Sequence, residues 1–341
     1  MPRYSPVATI ESACLIRGSF ALLATSLDTL PQREWDFSRV STFEPNDKIN
    51  PWSYRDYDYT VVDVSFWQEN NLRCILSREG DIRLYGPGGV PDRTYRLPDA
   101  GVMRQEAAGY GYVNRIRTIG QSLYVCGQSR QVYRFAPGAA HVLDGVWEDF
   151  AGPMRQAPIS EPPDDNGGEA FDRWLDENDA IDFMDIAGAS EDDIYAAGDE
   201  CWHYDGLRWE QLQLPTDECI NAIKAIDTDQ IVMVGHNGTV LMGNARQGFK
   251  ELSGIEDNQN FTGAEWFQGK LFLASNLGLY IYDPDTGKIE AYRTKLSPEL
   301  QDAHILEAKD GVLWSFGFKD LAYFDGKAWM RVDHPDNPPI R

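Results

Sequence analysis

The chain has 341 residues, 42% of them hydrophobic and 12% aromatic, with ten tryptophans, which is too rich in core-forming side chains for a disordered protein. With 54 acidic against 31 basic residues its formal net charge is −23, a field that repels nucleic acid and anionic lipid and argues against direct DNA or RNA binding. No run approaches the roughly 18 apolar residues of a membrane span, Arg17 interrupts the apolar stretch Ala13–Leu27, and the five cysteines form no C-x-x-C pair, so a soluble, cytoplasmic chain in a reducing compartment is expected.

In chain order, the first expected unit is the least regular, with candidate strands Cys14–Arg17, Phe20–Thr25 and Trp35–Val40. The segment 41–58 reads as an aromatic loop excursion carrying Trp52, Tyr54 and Tyr57, with Tyr59 just beyond it. A second unit follows in Val61–Phe66, Leu72–Ser77, Ile82–Tyr85 and Thr94–Leu97. The third comprises Val113–Gly120, Leu123–Gly127, Val132–Phe135 and a strand ending at Trp147.

From Trp147 to Trp209 is 62 residues, well beyond the regular step, and the excess falls in 160–182. That insertion holds nine acids and one base, Arg173. Within it, Glu169–Asn178 places Phe171, Trp174 and Leu175 at i, i+3 and i+4, which predicts a short helix with one apolar face.

The fourth unit, Ile181–Pro215, is the clearest: two apolar strands ending on Gly188 and Gly198, a third at Cys201–Tyr204, an Asp205-Gly206 turn, and a fourth carrying Trp209. The phrase recurs as Asp325-Gly326 with Trp329, 120 residues later, and Phe249 and Tyr292 occupy the steps between at spacings of 40, 43 and 37. These are the periods of propeller blades. The second strands Ile194–Gly198, Ile231–Gly235, Leu271–Ser275 and Leu313–Gly317 are apolar at nearly every position, as strands covered on both faces must be. With Trp35, Tyr95, Trp147, Trp209, Phe249, Tyr292 and Trp329 as fourth-strand aromatics, the expectation is an all-β, seven-bladed propeller of four-stranded antiparallel blades spanning 1–341 as one domain. Six blades is the alternative, because Pro6–Ile10 could complete the last blade and leave the first short. The tail 335–341 is expected to be loose.

The stretch DIYAAGDECWHYDGLRWEQL resembles bacterial β-propeller repeats with DGxxW blades, similar in style to Kelch-like and photosystem assembly-factor propellers. The resemblance implies fold only, since function in such propellers sits on rims and in the channel. No G-x-S-x-G elbow or phosphate-cradling loop occurs, and the five histidines show no ligand spacing, so no catalytic residue, metal or cofactor is assigned. His203 and His236, beside strands of adjacent blades, are the pair that could approach.

The functional expectation is a non-catalytic protein that docks a basic partner through an acidic, aromatic-bearing rim. Its candidate contacts are Phe171, Trp174, Leu175, Asp172, Asp176 and Glu177, with Trp52, Tyr54 and Tyr57 as a second patch. One concrete form is an immunity or antitoxin protein whose acidity mimics a polyanion against a cationic toxin such as a nuclease. The alternative is a carbohydrate-active hydrolase or lyase using paired carboxylates in the central channel.

Overall fold

The computed structural model describes residues 7–30, 36–88, 92–139, 141–160, 163, 168–252 and 259–341. Among the described residues, twenty-eight strands form seven four-stranded antiparallel sheets, each a meander in which sequence neighbours pair. The blades cover 8–57, 61–96, 113–149, 183–212, 220–251, 261–291 and 305–332. The first strands of successive blades lie side by side, and that of blade 7 returns to that of blade 1, so the ring closes. Among the described residues no helix is long and apolar enough to cross a membrane.

Each blade is apolar on both faces and finds cover only from its neighbours. Seven buried clusters result, one per interface. Between blades 3 and 4, for example, Tyr124, Cys126 and Val132 meet Phe183, Ile186 and Ile194. The second strands are largely buried, and Ile231–Gly235 is buried at every position. Fourth-strand tryptophans seal the outer edge: Trp209 packs on Phe150 and Tyr204 and donates from Nε1 to the Phe150 carbonyl at 2.9 Å.

The Asp-Gly turns work differently from a primed two-residue hairpin. Tyr204 pairs directly with Trp209, leaving a four-residue loop in which Gly206 takes φ +89° and Asp205 Oδ1 accepts from the Leu207 and Arg208 amides, both at 2.9 Å. Asp325-Gly326 repeats this, with Gly326 at φ +90°. The aspartate supplies an acceptor and the glycine alone supplies the left-handed backbone.

Two boundaries differ from expectation. The segment 41–58 is not a loop excursion, because Trp52–Tyr57 is the fourth strand of blade 1, paired from Ser38↔Tyr57 to Phe43↔Trp52. Being an outer strand, it exposes most of its side chains and lacks the apolar run that marks an inner one. Trp35, expected there, lies outside the described residues. Nor does an N-terminal strand complete the last blade: Ala8–Arg17 is the first strand of blade 1, and blade 7 has four strands of its own.

The seam between blades 7 and 1 is therefore closed by side chains and single backbone bonds. Ile10 donates to the Phe318 carbonyl at 2.8 Å, and Trp314 Nε1 donates to the Gly18 carbonyl at 2.8 Å. Part of the tail expected to be loose is tied down. The Asn337 side chain takes both polar groups of Ala8, accepting from its amide at 2.8 Å and donating to its carbonyl at 2.9 Å, while Asp336 pairs with Arg39 at 3.0 Å.

Candidate functional site

Connectivity assigns every loop to a face. Turns between second and third strands, and connections from one blade to the next, share one end of the propeller; the other hairpin turns share the opposite end. The insertion joins blade 3 to blade 4, so it stands on the first of these, here called the upper face.

The insertion is anchored at its base. Ala151 and Met154 are buried in the core between blades 3 and 4. Gln156 donates from its amide to Ser129 at 3.1 Å and accepts from the Ile181 amide at 2.8 Å. Asn178 Oδ1 accepts from both the amide and the hydroxyl of Ser160, at 2.6 and 3.0 Å, so the two ends of the excursion meet. Between them runs the helix Glu169–Glu177, with Glu169 and Asp172 in the first turn where they complement the helix dipole. Phe171 stacks on Trp174 at 5.6 Å, and Trp174 Nε1 donates back to the Ser160 carbonyl and hydroxyl. Leu175 is 48% exposed and Asp172 is exposed. Asp176 and Glu177 complete the helix backbone, and their side chains lie outside the described residues.

Negative charge continues beyond the insertion. Asp199, Glu200, Asp217 and Glu218 belong to upper-face loops of blades 4 and 5. Asp182 accepts from Gln128, and its amide donates to Asp199 Oδ2 at 2.9 Å. Burial, helped by Asp199 and Asp179, raises its carboxyl above the usual range, as expected where acids crowd. Sequence reading passed over Asp199, Glu200, Asp217 and Glu218, two adjacent pairs in separate loops that form no pattern.

The second aromatic patch does not assemble. Trp52 turns toward blade 7, packing on Phe43 at 4.8 Å and His334 at 4.9 Å. Tyr57 is buried on the blade 2 side, in contact with Tyr59. Tyr54 is 65% exposed under the Arg39 guanidinium. Successive side chains of a strand point to opposite faces, and this strand's two faces serve different interfaces. Blade 2 also separates it from the insertion.

The central channel holds a cavity of about 350 Å³ lined by Asp63, Asp185, Glu265 and Glu307 together with Arg115, Arg117, Lys224 and Lys309. These charges form an unbroken belt across all seven interfaces. Ser12 donates its hydroxyl to Asp63 at 2.5 Å; Asp63 accepts from the Ile116 amide and Arg117; and Arg117 reaches Asp185 at 3.2 Å. Asp185 accepts from the Ile223 amide, Lys224 pairs with Glu265 at 2.7 Å, Glu265 accepts from the Ala308 amide, and Glu307 accepts from the Leu15 amide at 2.8 Å. Carboxylates engaged this way hold neighbouring blades together. Glu307 is pushed up to about 7 by burial and by Glu265.

His203 pairs with Asp193 at 2.8 Å, and among the described residues no group of three potential ligands is arranged to hold a metal.

A scan against protein families finds no match. Among curated proteins, the immune protein Tsi7 of Pseudomonas aeruginosa is 28% identical over 309 residues, covering 88% of this chain and 86% of Tsi7. Among solved structures, the WD40 β-propeller domain of Doa1 superposes with a TM-score of 0.59 at 8% identity, covering 93% of this chain and 92% of that one. A catalytically inactive virginiamycin B lyase from Staphylococcus aureus gives 0.59 at 10% identity, covering 93% and 94%. At these identities the structural likenesses establish the propeller fold alone. The DGxxW style of repeat finds no matching family.

Proposed function

We propose that the chain is an immunity-type inhibitor that binds a cationic toxin protein through the acidic insertion on its upper face. The observation that carries this reading is the 28% identity, sustained over most of both chains, to a protein named as an immune protein. The site supports it physically. The insertion, with nine acids in its sequence, carries a helix with exposed Leu175 on a base fixed to the propeller core. Negative potential speeds encounter with a basic surface, and apolar side chains slow release. A toxin that acts on a polyanion, such as a nuclease, presents the positive cleft this surface would occupy.

The test is affinity purification from the native host at low and high salt, followed by co-expression of whatever co-elutes. The expected result is one stoichiometric basic protein whose lethality this chain suppresses, lost when Phe171, Trp174 and Leu175 are replaced by Ala. Recovery of no partner, or of one without toxicity, overturns the reading. Undiminished affinity in molar salt overturns its electrostatic part.

A further inference from the structure

The insertion is not the only upper-face element that carries apolar side chains into solvent. The connection from blade 2 to blade 3, residues 97–112, exposes Val102 at 50% and Met103 at 78%. It is shaped by its own contacts: the Val102 and Met103 amides donate to Glu79 Oε2 at 2.9 and 3.1 Å, and Gly101 bridges to Gly111 across the loop. Held this way, the two side chains cannot fold back into the core.

This loop is joined to the stem of the insertion. The Ile159 amide donates to the Gly109 carbonyl at 2.8 Å, and the Arg155 guanidinium lies 4.6 Å from the Tyr110 ring and 4.8 Å from that of Tyr133. Gly109 sits at φ +82°, and a Cβ there would come within 2.9 Å of the Ile159 carbonyl oxygen, so the approach requires glycine. The two connections are thus joined into one plate, which exposes Val102 and Met103 from the first and Leu175, Glu169 and Asp172 from the second.

Exposed apolar residues on the opposite face are arranged differently. Ile49, Val146 and Leu207 stand on third-to-fourth-strand turns of blades 1, 3 and 4, and no described contact joins those turns into one surface. Isolated apolar side chains of that kind are ordinary on soluble proteins.

We propose that the plate formed by residues 97–112, 155–160 and 168–178 is the docking footprint, and that its occupant is a protruding element of a basic protein in which an apolar side chain is flanked by Lys or Arg. This rests on the binding reading above and extends it from the helix to Val102 and Met103. The occupant's apolar residue would lie against Met103 and Leu175, and its cations would face Glu169 and Asp172. Charge complementarity selects this partner, since the insertion carries a formal charge of −8 and a second copy of the chain would bring the same sign.

The test uses the full chain and the toxin recovered and neutralised as described above. Binding is titrated calorimetrically for the wild type, for Met103→Ser with Leu175→Ser, and for Ile49→Ser with Leu207→Ser, after thermal unfolding shows all three to be equally folded. Serine leaves the charge unchanged, so any loss reports the apolar contact. The expected result is tenfold or greater weakening for the upper-face pair and less than twofold for the lower-face pair. An upper-face pair within twofold of wild type, or a lower-face pair weakened tenfold, overturns the footprint while the immunity reading stands. A wild-type chain that does not bind the toxin overturns both.

Discussion

Glu307, an acid of the channel belt, spans the seam between blades 7 and 1, and its protonation falls near neutral pH. Burial and the Glu265 carboxylate raise it from 4.5 to about 7, against the opposing pull of Lys224 and Lys309. The folded chain therefore holds this proton more tightly than the unfolded chain. Its contribution is complete below about pH 4.5 and is lost as pH rises through 7. Replacing Glu307 by Gln keeps an acceptor for the Leu15 amide and removes the charge. The expected outcome is a flatter profile of unfolding free energy between pH 5 and 8, with the variant more stable by on the order of 1 kcal/mol at pH 8, since the side chain opens on the channel and is partly screened. Denaturant titration at each pH measures this; an unchanged slope would show that the carboxylate is ionised without penalty. Asp185 is the contrasting case, 2% exposed and bonded to both Arg117 and the Ile223 amide. Asp185→Ala leaves Arg117 with Asp63 as its carboxylate partner and strands the buried Ile223 amide, and is expected to cost about 2 kcal/mol by chemical denaturation.

At the scale of elements, the insertion is separable. Because Ser160 and Asn178 already bond to each other, deleting 161–177 and bridging the gap with two glycines asks nothing new of the propeller. The expected result is a melting temperature within about 3 °C of wild type together with complete loss of toxin binding, read by thermal unfolding and calorimetry. A large fall in melting temperature would mean that the helix supports the fold. This helix was legible in the sequence because Phe171, Trp174 and Leu175 keep a helical spacing within an otherwise polar stretch. The inner strands were legible for a related reason, as Ile231–Gly235 or Leu123–Gly127 can be apolar at every position only if both faces are covered. Outer strands carry no such signature: Trp52–Tyr57 pairs along its whole length, yet only Tyr57 is buried, so it reads as a loop. Met103 and the acids of the belt were invisible for a third reason. Their roles depend on which loops and strands the ring makes neighbours, and one sequence does not record that.

For the whole molecule, a net charge of −23 makes partner association a matter of ionic strength. The association rate for a cationic toxin is expected to fall at least tenfold between 50 mM and 500 mM salt in stopped-flow mixing, with a smaller change in dissociation. Ring count was recoverable from the sequence because the period survives in the DGxxW units and the fourth-strand aromatics. Ring closure was not, because it rests on Asn337 grasping Ala8 and Arg39 meeting Asp336 instead of on an exchanged strand.

The belt around the channel also determines how the protein can fail. Every blade lends a donor or an acceptor to the next, and Arg117 serves two carboxylates at once, so no blade can detach without stranding a buried charge or amide in its neighbour. Repeat arrays with weaker coupling can fray from an end, but a ring bound at its hub has no end to fray from. Unfolding should then be a single transition, the same by fluorescence and by circular dichroism, with no half-ring accumulating. A cell relying on such a protein would hold either intact molecules or unfolded ones ready for degradation, with few half-folded copies between.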